Sequence, residues 1–299
     1  MEDYKYWAIV TGTPSWEEEV IKTEALKPPC SIFTWHMLRT ANLAALPAMM
    51  AFLTTKEQLI VSNAMFKEFK RGEFTLHDVF NPQIRAKIRQ DAQTRWDTFE
   101  DDGLSLDQHV KGPFGVGHVE HILKQNLGMQ DSMDAIMAAI VSESYTAFEC
   151  FVSDIWVSAL NTGPREIANK VAVHKDLKRR DDPITVKMLY ESPYDVRAEI
   201  GSFLRETRRV SFQTLDNIKS AYAMAFGQDV VDLFPTIDGG FIEALCACRN
   251  IIAHKAGRAD SEFLRKVERF PEFSECKLHQ PVFLDGELVS KMLNAAVRL

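Results

Sequence analysis

Hydrophobic residues recur along most of this chain at the three- and four-residue spacing of amphipathic helices. In the first hundred residues this spacing predicts helices at Ser31 to Leu53, Thr55 to Lys70 and Leu76 to Phe99. Turn residues separate or follow them, as at Arg71-Gly72 and Asp101-Asp102-Gly103. Strand signals are few, so the pattern predicts an all-α fold.

The helical pattern is strongest from Met129 to about Leu160, where glycine and proline in Asn161-Thr162-Gly163-Pro164 give a strong stop signal. Later helices are predicted at Ile184 to Tyr190, Tyr194 to Glu206, Phe212 to Phe226, Gly240 to Lys255 and Ser290 to Arg298. Alternation around Asp285-Gly286, over residues 278 to 289, predicts a small C-terminal hairpin. We therefore predict a mainly helical N-terminal region at 1–128 and a helical domain at 129–299. The glycine-rich segment KGPFGVG (111 to 117) lacks the Gly-Lys-Ser/Thr ending of a phosphate-binding loop and is interpreted as a linker.

Composition narrows the functional classes. The 299 residues are 46% hydrophobic and 26% charged, an ordinary globular composition, and carry a net charge of −7. A nucleic acid would therefore have to meet a local basic site. The chain starts without a secretory signal, and its most apolar run, 41 to 53, is shorter than the about 20 residues that cross a membrane. We expect a soluble, cytoplasmic protein with no membrane partner.

The sequence contains little that indicates a metal or cofactor site. His118 and His121 have a spacing that can ligate metal on a helix, but no second cluster completes a site, so we interpret them as surface residues. The five cysteines form no CxxC pair and predict free thiols. GxSxG, HExxH and GxGxxG motifs are absent from the sequence. We predict no metal and no cofactor.

The candidate chemistry lies in FIEALCACRNIIAHKAGRAD, residues 241 to 260. At 100° per residue, Asn250 and His254 lie together nearly opposite an apolar stripe about 120° wide, whereas Arg249 is about 140° from His254. The stripe contains Phe241, Ala244, Leu245, Cys248, Ile251 and Ile252. Arg249 and His254 cannot be neighbours on one straight helix, so either the helix ends loosely near His254 or a partner residue comes from elsewhere. A second copy of the helix is the economical source.

A narrower apolar strip, consisting of Ile242, Cys246 and Ala253, runs beside Arg249. The core-facing stripe leaves this strip unused. We therefore predict that it packs against the same helix of a second copy, forming a homodimer in which two Arg/His sets face one cleft.

The run RNIIAH, followed by Gly257 and Asp260, resembles the signature of HEPN domains. The earlier run SYTAFECFVSDIW (144 to 156) is similar to the first helix of that family, and residues 203 to 226 resemble the middle of such a domain. The resemblance covers residues 129–299 and implies a HEPN-like helical bundle, in many members a metal-independent endoribonuclease with its Arg-x(4 to 6)-His motif at a dimer interface. Lys255 and Ala256 follow the histidine, so the tyrosine of the modified-toxin branch is missing.

The resemblance implies an endoribonuclease that acts as a bacterial toxin or phage-defence effector, with RNA as substrate and an antitoxin or trigger protein as a further partner. Cleavage by 2′-OH attack, which leaves a 2′,3′-cyclic phosphate, needs proton transfer and a cation near the phosphate. His254 can transfer protons near neutral pH, Arg249 can grip two phosphate oxygens, and Asn250 can hold the imidazole or the phosphate. The alternative is a non-catalytic HEPN scaffold that binds RNA or a protein.

Further charged residues complete the predicted site. The resemblance places Glu149 in the first helix facing the motif. There it either orients Arg249 through a carboxylate–guanidinium pair or is an ordinary solvated or arginine-paired glutamate. Arg205, Arg208, Arg209 and Lys255 are predicted to contact the RNA backbone, although for the three arginines a solvated helix face is the competing interpretation.

Overall fold

A computed structural model describes residues 21, 23–70, 82–97, 127–163, 167, 170–171, 199–206, 210–232, 234 and 239–298. All extended regular structure in these ranges is helical, and none of it is a strand, which confirms the all-α prediction. The principal helices are α1 (Lys27–Lys70), α2 (Pro82–Asp97), α3 (Leu127–Thr162), α4 (Ile200–Glu206), α5 (Leu215–Phe226), α6 (Gln228–Val231), α7 (Phe241–Lys255), α8 (Ser261–Val267) and α9 (Gly286–Val297). Short 3-10 turns occupy Glu24–Leu26 and Pro271–Phe273.

Helix α3 runs through the core of a compact unit made of the described parts of Ala8–Ala44 and Asp134–Leu299. Its buried Trp156 donates from the indole nitrogen to the Ala221 carbonyl at 2.9 Å. In return, Tyr222 on α5 donates to the Val152 carbonyl at 2.8 Å. Both aromatic side chains bury their rings and satisfy their polar atoms, and this reciprocal pair fixes α5 against α3.

The N-terminal part of α1 belongs to the same unit. Phe33 stacks on Phe151 of α3 with 4.4 Å between ring centroids, and Met37 is also buried. Residues predicted to precede the C-terminal domain thus pack inside its core.

The second compact unit comprises the described parts of Ala45–Met133. In it, Ala64 of α1 and Ile88 of α2 form a buried cluster, joined by the partly buried Met65, Ile84 and Ala92. The predicted interruption between Leu53 and Thr55 is wrong, because α1 continues through both residues as one helix. The backbone of α1 is helical through residue 47 as well, although proline removes a hydrogen-bond donor there.

The predicted C-terminal hairpin is also wrong. Asp285 precedes α9, and its carboxylate accepts a hydrogen bond from the Leu288 backbone N–H at 2.8 Å. Asp-Gly suits both a hairpin turn and a helix start, and here aspartate caps the helix while Gly286 is its first residue. Upstream, Pro281 forms an isolated bridge with Arg258 instead of pairing with residues after Gly286.

Helix α3 is also long and apolar enough to cross a membrane: residues Gln130–Thr162 meet both requirements. Half of the most apolar window is nevertheless buried inside the protein, and the core helix of a soluble protein meets the same requirements. Length and composition therefore do not decide whether α3 is a core helix or a membrane-spanning helix.

Candidate functional site

The motif residues lie on α7, whose C-terminal end is closely defined. Ala256 and Gly257 adopt left-handed backbone conformations with φ of 50° and 75°, and the Gly257 N–H donates to the Ile251 carbonyl at 3.0 Å. This bond spans six residues, and left-handed residues directly after the last turn are a common way for a helix to end. The helix therefore stops directly after Lys255, with His254 in its last turn.

The chain beyond α7 is held by backbone hydrogen bonds. Val282 N–H donates to the Gly257 carbonyl at 2.8 Å, while Ala259 N–H donates to the Gln280 carbonyl at 2.9 Å. The end of the helix near His254 is thereby fixed to a second segment, so the predicted loose ending does not occur.

The predicted core-facing stripe of α7 is confirmed. Ala244, Leu245, Cys248 and Ile251 are buried, while Phe241 and Ile252 are partly buried. Phe241 packs against Phe270 with 5.0 Å between ring centroids.

The second apolar strip corrects a prediction, because the chain's own core already uses most of it. Ile242 is 0% exposed and Cys246 is 6% exposed, and only Ala253 lies on the surface. Burial and the neighbouring Cys246 thiol both raise the pKa of the Tyr145 hydroxyl on α3, so the two side chains lie close together. Periodicity identified the strip correctly as apolar, but it could not show that the fold of the same chain buries Ile242 and Cys246. The fold of a single chain therefore buries Ile242 and Cys246, and Ala253 alone of the three strip residues stays exposed.

Arg249 faces α3. Its guanidinium lies over the Tyr145 ring, 5.1 Å from the ring centroid, a distance suited to a cation–π contact. It also donates from Nη1 to the Asn250 side-chain oxygen at 3.4 Å. Arg249 is partly exposed, so its charge remains accessible.

Glu149 lies one helical turn after Tyr145 on α3, within the electrostatic influence of Arg249. Burial raises the pKa of the Glu149 carboxyl, whereas the positive charges of Arg249 and Arg205 lower it, and burial has the larger effect. Among the described residues, Glu149 forms no ion pair with either arginine. The predicted neighbourhood is therefore present, but the predicted carboxylate–guanidinium pair is not formed.

His254 and Asn250 line a cleft of about 290 Å³ between α7 and α8. Lys255 and Lys266 line the same cleft, together with Asp260 and Glu262. Both acidic side chains are engaged: Asp260 accepts from the Phe263 N–H at 2.8 Å and caps α8, while Glu262 pairs with Lys266 at 2.8 Å. Arg249 does not line this cleft, so within one chain the structure separates Arg249 from His254, in agreement with the helical angle.

The predicted RNA-contacting residues have different outcomes. Lys255 is exposed at the His254 cleft. Arg205 lies on α4 and forms an ion pair with Asp154 of α3 at 2.7 Å. Helix α4 approaches α3 closely at Gly201, where a Cβ atom would lie 2.6 Å from the Val157 carbonyl oxygen. Arg208 and Arg209 lie outside the described residues.

No known protein family, curated protein or solved structure matches this chain.

All five cysteines are free thiols, as predicted. Within the part of the chain that the structure describes, no three His, Cys, Asp or Glu side chains are grouped so that they could hold a metal ion. His118 and His121 lie outside that part.

Two residues at the site were not singled out from the sequence. Tyr145 lies four positions before Glu149, so helical spacing alone could have placed both side chains on one face of α3. Lys266 had no comparable signal, because it joins the His254 cleft only through the packing of α8 on α7.

Proposed function

We propose that this protein is a metal-independent endoribonuclease of the HEPN type, in which His254 transfers protons and Arg249 stabilises phosphate charge. One observation carries the proposal: the exposed His254 opens, with Asn250 and Lys255, onto a cleft that also holds Lys266. An imidazole beside an amide and the Lys255 ammonium can bind a phosphate and exchange protons with the adjacent ribose, while Lys266 is paired with Glu262.

The proposed reaction needs a cation that acts together with His254. Arg249 faces α3 rather than the His254 cleft, so we propose that Arg249 of a second copy completes the cleft. The exposed Ala253 belongs to the surface that would lie near such an interface. Roles as a toxin or defence effector, and an antitoxin or trigger partner, rest on the HEPN resemblance alone.

Cleavage of a labelled RNA in the presence of EDTA tests the chemistry. We expect wild type to cut and leave 2′,3′-cyclic phosphate ends, and His254→Asn to cut about 100-fold more slowly or worse, as expected for the loss of a general acid–base group. His279→Asn is the matched control, since His279 is an exposed histidine with φ of 62°, a conformation that asparagine tolerates. Cleavage that stops with EDTA and returns with magnesium would contradict the mechanism.

Mixing two inactive variants tests the composite site. Arg249→Ala and His254→Asn chains, each inactive alone, would form mixed dimers that keep one intact Arg249/His254 set from opposite chains. Recovery of part of the activity supports the composite site, and no recovery from a mixed dimer excludes it.

A non-catalytic RNA- or protein-binding scaffold is the second candidate. It is favoured by the separation of Arg249 from the His254 cleft within one chain. In that case RNA would bind without being cut, and His254→Asn would change affinity alone.

A further inference from the structure

Tyr145 and Glu149 on α3 face Cys246 and Arg249 on α7. The first two are four residues apart and the last two are three apart, so each pair lies on one side of its helix. The Arg249 guanidinium lies over the Tyr145 ring, 5.1 Å from its centroid, and the Cys246 thiol lies near the Tyr145 hydroxyl. Cys246 and Arg249, about one helical turn apart on α7, therefore both lie against Tyr145.

Tyr145 is itself held firmly. Its side chain is 0% exposed, and its hydroxyl donates to the Gln213 carbonyl at 3.1 Å. The ring also packs at a tilt against Phe148, with 6.0 Å between centroids. Because the edge and the hydroxyl of the Tyr145 ring are both held in place, the ring presents a fixed face to Arg249.

Arg249 has few other constraints in the described structure. Its hydrogen bond to Asn250 is long, at 3.4 Å, and Glu149 influences it without forming an ion pair. The ring face of Tyr145 is therefore the contact that most restricts where the guanidinium can lie. An arginine that must meet a phosphate gains from this restriction, because less side-chain freedom remains to be lost on binding.

We propose that Tyr145 is the positioning residue of the site and holds the Arg249 guanidinium where it meets the RNA phosphate. This inference rests on the proposed ribonuclease function for its catalytic consequence, but not for its geometry. Tyr145 does not touch the substrate. It acts through Arg249, and its aromatic ring, rather than its hydroxyl, is the part that matters for position.

The geometry is tested without any activity measurement. A ring face shifts the resonances of protons above it upfield, so the Arg249 Nε–Hε signal, assigned by its loss in Arg249→Lys, should lie upfield of ordinary arginine signals in the wild-type protein. It should stay there in Tyr145→Phe and move to the ordinary position in Tyr145→Leu. An ordinary wild-type position would overturn the proposal, even if Tyr145→Leu did not fold.

Tyr222→Leu is the matched control, because Tyr222 is also a buried, hydrogen-bonded tyrosine that packs against α3, through Val152. It should lower thermal stability as Tyr145→Leu does and leave the Arg249 signal in place. An equal movement of that signal in Tyr222→Leu would show a general loss of packing and would overturn the proposal.

The kinetics of RNA cleavage by Tyr145 variants test whether this positioning affects catalysis. Tyr145→Leu should lower kcat about 10- to 100-fold with a smaller change in KM, as misplacement of a catalytic group does. Tyr145→Phe, which keeps the aromatic ring, should keep kcat close to that of wild type. If wild type cuts RNA and Tyr145→Leu cuts equally well, the positioning role fails and the ribonuclease proposal stands. If wild type does not cut RNA, the ribonuclease proposal fails, and the Arg249 resonance still decides whether Tyr145 positions the guanidinium.

Discussion

Asn250 accepts a hydrogen bond from the Arg249 guanidinium, with 3.4 Å between Nη1 and Oδ1, and also lines the cleft that contains His254. Its side chain therefore contacts Arg249 and also lines the cleft of His254, two residues that otherwise face different parts of the molecule. Adjacent positions on a helix point about 100° apart, so a short amide reaches back to Arg249 without leaving the cleft.

Replacing Asn250 should weaken both halves together. We expect Asn250→Ala to lower kcat for RNA cleavage by about tenfold, since it removes a neutral hydrogen-bond acceptor from the arginine and an amide from the cleft. The comparison is Asn63→Ala, whose side chain is exposed on α1 in the other compact unit. Equal effects of the two substitutions on kcat would argue against a role for Asn250.

The pH dependence of folding reports on Glu149. Burial raises the pKa of this carboxyl above its ordinary value of 4.5, so the folded protein keeps the proton to a higher pH than the unfolded chain. Ionising Glu149 then costs folding free energy as the pH rises above that value. We expect Glu149→Gln to match wild type at about pH 4 and to become relatively more stable at about pH 7, measured by urea unfolding.

Glu287 supplies a control of opposite sign. A hydrogen bond from Lys291 lowers the pKa of Glu287, so its stabilising contribution is present above its ordinary pKa and is lost as the pH falls. Glu287→Gln should therefore be relatively less stable near neutral pH. A Glu149→Gln variant with the same sign would mean that the arginines outweigh burial.

Cys246 and Ala253 should respond differently to glutamate. Cys246 is 6% exposed, so Cys246→Glu would bury an unpaired carboxylate and cost several kcal/mol of folding free energy. Ala253 is exposed, so Ala253→Glu should change the unfolding free energy by less than about 0.5 kcal/mol. Thermal unfolding and light scattering together separate loss of fold from loss of a dimer. A well-folded Cys246→Glu protein would contradict the buried position of the thiol.

Asp285 should behave as a helix cap. Asp285→Ala removes the acceptor for the Leu288 N–H and should destabilise the fold by about 1 kcal/mol, whereas Asp285→Asn keeps an acceptor and should cost less. Denaturant unfolding monitored by circular dichroism measures both. A hairpin turn at Asp285-Gly286 would instead leave α9 beginning later and make the alanine variant nearly neutral.

The sequence by itself determined the helices with strong internal periodicity and clear ends. Helix α3 was expected at Met129 to about Leu160 and spans Leu127–Thr162, and α7 was expected at Gly240 to Lys255 and spans Phe241–Lys255. The divergence of Arg249 from His254 follows equally from the helical repeat. These features depend on neighbours a few residues apart, which is the range over which periodicity and capping act.

Only the tertiary structure decided which apolar faces are covered, and by what. Cys246 meets Tyr145 across about a hundred residues of sequence, and Phe33 stacks on Phe151 from a region predicted to be separate. Periodicity shows that a face is apolar but does not specify its partner, because the hydrophobic effect is non-directional. Asp285-Gly286 shows the same limit locally, since the dipeptide suits both a turn and a cap, and the helix that follows it decides between them.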